Sequence, residues 1–125
     1  MFTVGFSPSM ARLFSSKQSF AWPDADIKEN DNEYIFSFEI PGTLKDDIKI
    51  WLDDDVLTVS GEKRMKPGGD ETVLVNERAF GKFERSFRLP SPVDRNKIKA
   101  EFVDGILVVV TPKAAETVNK EIKIN

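Results

Sequence analysis

Apolar side chains recur at every second position through most of this chain. In "EYIFSFEI", Tyr34, Phe36, Phe38 and Ile40 share one face, which predicts a strand half-buried against a core. Pro41-Gly42 ends it. "DIKIWL" then places Ile48, Ile50 and Leu52 on one side with Lys49 and Trp51 opposite, and "VLTVSG" follows as a further short strand. In "KFERSFRLP", Phe83, Arg85, Phe87 and Leu89 fall in one phase, so a charge points toward the apolar side. "IKAEFVDGILVVV" has Ile98, Ala100 and Phe102 in phase, then Asp104-Gly105, then an almost wholly apolar strand. Asp-Gly between apolar runs predicts a tight hairpin, because the primed turn needs positive φ. Many short strands with turn signals and no long helical period predict an all-β sandwich.

Three segments do not fit a closed sandwich. The loop "EKRMKPGGDETVLVNE" is too long for a tight turn and carries a predicted strand of its own, residues 72–76, with Thr72, Leu74 and Asn76 on one side and Val73 and Val75 on the other. Such a strand needs a partner edge, either on another subunit or in a plain surface hairpin. The first 22 residues hold Phe2, Phe6, Phe14, Phe20 and Trp22 with neither strand nor helical period, interrupted by Pro8 and several serines. The chain closes on "EIKIN", where Ile122 and Ile124 would present one apolar face while Lys123 looks into solvent. A terminal segment ordinarily frays, so two isoleucines there predict docking, onto a neighbouring subunit or back onto the same domain.

Composition narrows the chemistry. A chain of 125 residues suits one domain with one core. The net charge of −3 divides into +2 on residues 1–22, which contain no acid, and −5 on the remainder. No basic stripe favours nucleic acid, and no apolar run reaches the length of a membrane span. With no cysteine and no histidine there are no disulfides, thiol nucleophiles, histidine triads or imidazole zinc sites. The absence of cysteine fits a reducing, cytoplasmic setting, and the basic, serine-rich start leaves an organellar transit peptide as the alternative. Asp53, Asp54 and Asp55 do not form a calcium loop, since Thr58 and Arg64 stand where glycine and glutamate are needed. They read as a solvated turn. No GxxxxGK[ST] loop indicates nucleotide use, and the acids sit in turns or on outward phases, so neither an enzyme nor a cofactor or metal is expected.

Taken in order, "DIKENDNEYIFSFEIPGTLKDDIKI", "VLTVSGEK", "ERAFGKFERSFRLP", "IKAEFVDGIL" and "TPK" closely resemble the α-crystallin domain of small heat shock proteins, the Hsp20 family, of the bacterial or plant type. The resemblance divides the chain into an N-terminal arm (1–22), an α-crystallin domain (23–113) and a C-terminal tail (114–125). It implies an immunoglobulin-like β-sandwich and a cofactor-free, ATP-independent holding chaperone that binds partly unfolded proteins, formed from strand-exchanged dimers that assemble further. It also implies residue roles. Ile122 and Ile124 would enter a groove lined by Ile48, Ile50, Leu52, Ile98 and Ala100. Val73, Leu74, Val75, Arg85 and Ile27 would form the dimer interface, residues 72–76 pairing with residues 25–29 of the partner. Phe2, Phe6, Phe14, Phe20 and Trp22 would contact clients. The arm is short for that family, and only Asn125 follows the tail motif. The competing reading is an adaptor of the p23 or CS type, a similar sandwich that binds a chaperone partner and usually lacks both the strand-bearing loop and the tail motif.

Overall fold

The computed structural model describes residues 22–66, 68–115, 122 and 124. Seven strands form among them: β1 (Ala25–Glu29), β2 (Glu33–Glu39), β3 (Ile48–Asp53), β4 (Val56–Lys63), β5 (Gly81–Arg88), β6 (Lys99–Val103) and β7 (Ile106–Pro112). All pairings are antiparallel. One sheet runs β1-β2-β7-β6 and the other β3-β4-β5, so the all-β sandwich expected from the alternation is present. The alternation survives residue by residue in β2, where Tyr34, Phe36 and Phe38 are buried and the intervening positions are only partly so. Phe87 of β5 bridges the sheets, its ring 5.8 Å from Phe36 and 6.0 Å from Phe38. Leu57, Val59, Leu107 and Val109 complete the centre of the core.

Turns follow the residues that permit them. Asp104 and Gly105, both at positive φ, close the β6–β7 hairpin, as the Asp-Gly pair predicts. A side chain at Gly105 would also lie 2.9 Å from the Cα of Pro41. Asp54, at φ 55°, turns β3 into β4, so the aspartate run is the solvated turn expected. Gly61 meets a different demand. A Cβ there would stand 2.5 Å from the Asp47 carbonyl oxygen and 2.6 Å from the Phe83 ring, so only glycine lets β4 pass beneath them.

Residues 72–76 depart from the expected strand. They hold no strand within the chain, and Val73, Leu74 and Val75 are exposed, Leu74 by 90%. The physical reason lies in the ladder: a strand exists only against a paired edge, and no described edge of this chain takes this segment.

Candidate functional site

The strand orders leave β6 at one end of the larger sheet and β3 at one end of the smaller. Between these two edges runs a groove containing two cavities. The first, about 290 Å³, is lined by Ile50, Leu52, Leu57, Ile98 and Arg95. The second, about 150 Å³, is lined by Ile48, Ile50, Ala100, Phe102 and Leu107, with Lys45 and Glu101 at its rim. All five groove residues anticipated from sequence line one cavity or the other. Ile48, Ile50, Leu52 and Ile98 are half-buried, whereas Ala100 is exposed, because β6 is an edge strand with nothing beyond it. The cavities share Ile50 and are offset by two residues along β3, which corresponds to roughly 6.6 Å. That is the spacing of alternate side chains on an extended segment. Ile122 and Ile124, 86% and 98% exposed, stand two residues apart in sequence, and no described residue covers them.

Phe102, Leu57 and Leu107 also line the groove. Phe102 shares phase with Ile98 and Ala100 and was legible on that ground; Arg95 and Lys45 lie in short 3₁₀ turns with no periodic signal. Arg95 donates from its terminal nitrogens to the carbonyl oxygens of Leu52 (3.5 Å) and Asp54 (3.0 Å), pinning the end of β3 across the groove mouth. A larger concavity, about 810 Å³, lies on the outer face of β3-β4-β5. It is wide and open, and Lys49, Arg64 and Lys82 there lie among Asp46, Asp47, Glu62 and Glu84, so its wall mixes both charges with a slight acidic excess.

The opposite side of the sandwich, where β1 and β5 end the sheets, is closed by the chain itself. Arg85 is half-buried, donates to the Pro23 carbonyl oxygen at 2.7 Å and lies 4.9 Å from the Phe87 ring centre. Burial lowers its pKa, and the charge of Asp24 acts in the opposite direction. Trp22, assigned by sequence to the arm, is half-buried and packs its ring edge-on to Phe83 at 5.0 Å. Ile27 of β1 is half-buried opposite Phe36 of β2. The outer edge of β1 carries no strand among the described residues. Phe2, Phe6, Phe14 and Phe20 lie outside the described residues.

The sandwich has counterparts among known proteins. Residues 26–125 match the Hsp20/alpha crystallin family, and the chain belongs to it. It is 39% identical to small heat shock protein C4 of Rickettsia felis over 82% of this chain and 64% of that protein, just under two-thirds of its length. A 17.5 kDa class I heat shock protein of Glycine max is 37% identical over 86% of this chain and 71% of its own. Among solved structures, heat shock protein 16.0 from Schizosaccharomyces pombe superposes with a TM-score of 0.73 at 29% identity, covering 86% of this chain and 98% of that one. The family is one of chaperones, and the small heat-shock protein of Xylella fastidiosa, 32% identical to this chain, has a distinct high order structure.

Proposed function

We propose that this chain is an ATP-independent holding chaperone, acting as a strand-exchanged dimer that assembles further through its tails. The observation that carries the reading is the coexistence of a finished core with apolar segments that no described residue covers. Phe36, Phe38 and Val59 are fully buried, while Val73, Leu74, Val75, Ile122 and Ile124 are exposed. A protein that holds partly unfolded clients needs apolar surface that assembly hides and dissociation uncovers. Residues 72–76 of one subunit would pair with the free edge of β1 in its partner by main-chain hydrogen bonds. Ile122 and Ile124 would occupy the β3/β6 groove of a neighbour. The arm, with Phe2, Phe6, Phe14 and Phe20, would supply most of the client contact, because these aromatics lack a strand period that would bury them, whereas Trp22 is already packed on Phe83.

The test is suppression of light scattering by a thermally unfolding client protein in the absence of nucleotide. Suppression at near-stoichiometric amounts, unchanged by added ATP, is expected. Removal of residues 1–21 should abolish most of it while leaving the circular dichroism of the sandwich intact. Undiminished suppression would move client capture to the groove, and no suppression by the full chain would exclude holding activity.

A further inference from the structure

The outer faces of the two sheets are unlike. On β4, the central strand of the smaller sheet, the outward positions are Thr58, Ser60 and Glu62; on β7, an inner strand of the larger sheet, they are Ile106, Val108 and Val110. An antiparallel sheet with one solvated face ordinarily presents polar side chains there. The register sets Val110 between Ile35 and Lys99, Val108 between Ser37 and Glu101, and Ile106 between Glu39 and Val103, while Lys28 lies beyond Ile35 and Asp26 beyond Ser37. Ile106 and Val103 are 41% and 52% exposed, and Ile35, Val108 and Val110 are half-buried. An apolar stripe thus runs between two edge strands, each of which carries a lysine and, two residues along on the same face, a carboxylate. None of Asp26, Lys28, Lys99 and Glu101 enters an ion pair among the described residues.

We propose that this face packs on the same face of a second copy, across a two-fold axis that runs perpendicular to the strands and passes between the row of Lys28 and Lys99 and the row of Asp26 and Glu101. That axis brings Lys28 over Asp26 and Lys99 over Glu101 of the second copy, sets Val110 over Val108 and Ile35 over Ser37, and repeats each contact by symmetry. A two-fold axis along the strands would instead oppose Lys28 to Lys99 and Asp26 to Glu101, like charges in both cases, so the charge pattern selects the axis. Glu39 approaches Glu33 of the second copy only at the rim, where water and salt screen the repulsion. Four strands about 4.8 Å apart and rows about 6.6 Å apart give a contact of about 300 Å² per copy, short of the roughly 800 Å² per partner of a stable interface. The face therefore joins copies that other contacts already hold, and to that extent the inference rests on the assembly put forward above.

Because the chain has no cysteine, Ser37→Cys in the full-length protein supplies one thiol inside the face, and a short bismaleimide should join it to the same thiol of a second copy. Lys28→Glu with Lys99→Glu makes both rows acidic, and Asp26→Lys with Glu101→Lys makes both rows basic. Each set, added to Ser37→Cys, should slow linkage roughly ten- to a hundredfold at low salt, the order expected when several exposed pairs become repulsive together. An equimolar mixture of the two sets should restore it. Linkage of Lys49→Cys, on the outer face of the other sheet, should be indifferent to both sets. Linkage at residue 37 that ignores charge, or a Lys49→Cys signal that falls in step with it, would overturn the proposal. Slowing by both sets without recovery on mixing would also overturn it and would give the face to residues 1–21 or to a client. Light scattering on the same samples separates the failures: no linkage at the mass of a larger assembly sinks the face alone, whereas no linkage at monomer or dimer mass sinks the assembly with it.

Discussion

The two open sides of this sandwich have the same origin and different fates. Each lies where the end strand of one sheet faces the end strand of the other, and each carries apolar side chains from both. On the β1/β5 side, Trp22 and Pro23 cross from one sheet to the other, bringing an aromatic ring to Phe83 and a carbonyl to Arg85. On the β3/β6 side no described segment crosses, and the cavities beside Ile50 stay open. Closure therefore depends on whether the chain enters or leaves at that edge, and an unclosed edge is a place for another chain.

Removing the closing side chains should produce the largest effects. Phe83 is buried, supports Trp22 and fills the space above Gly61. Phe83→Ala should destabilise the fold by about 3 to 5 kcal/mol, read from a denaturant midpoint. Arg85→Ala is expected to follow at about 1 to 2 kcal/mol, since it deletes one charge-assisted hydrogen bond of a group that is still partly solvated. The lowered pKa of Arg85 arises from burial of the charged form. A base with a depressed pKa is less favourably charged in the folded state, so its protonation opposes folding slightly, and a guanidinium stays protonated through neutral pH. Stability should consequently show no step attributable to Arg85 between pH 6 and 9 (roughly). A wild-type midpoint for Arg85→Ala would mean that its stem alone packs there.

Deleting residues 66–75 sharpens the contrast differently, because it removes surface that the single chain does not cover. Val73, Leu74 and Val75 are exposed, so the shortened loop should cost the isolated fold less than about 1 kcal/mol. Dimers should nonetheless become monomers by light scattering. Persistent dimers would place the interface on another surface.

How far the sequence was readable follows the same divide. Strand positions in β2, β3 and the β6–β7 hairpin were legible because burial on one face imposes period two and the Asp-Gly turn imposes positive φ. The groove residues were legible for the same reason, their phase being inward. Residues 72–76 have strand chemistry without a strand, since alternation records a preference and the ladder needs an edge that no described strand of this chain offers them. Trp22 was read as part of the arm because a lone aromatic before a proline has no period at all. Its packing on Phe83 is a tertiary fact. Arg95 was missed because it reaches the groove from a 3₁₀ turn, where spacing along the sequence says nothing about which side chain meets which edge.

The smallest effect on the fold should accompany a large effect on assembly. Ile122 and Ile124 are almost fully exposed in the single chain, so changing both to alanine should alter the melting of the isolated sandwich by no more than about 0.5 kcal/mol. Seated in a groove, the same pair would contribute roughly 3 to 6 kcal/mol from burial, reduced by the entropy of ordering the linker between Pro112 and Ile122. Such a contact alone corresponds to about millimolar affinity or weaker, so a stable assembly requires many tails engaged together, with continual exchange of subunits. The double variant should therefore fall to dimer mass at dilute concentration, while subunit exchange between labelled wild-type assemblies, followed by energy transfer, is already rapid. Unchanged mass for the variant would mean that the open side of the sandwich is filled by something other than the tail.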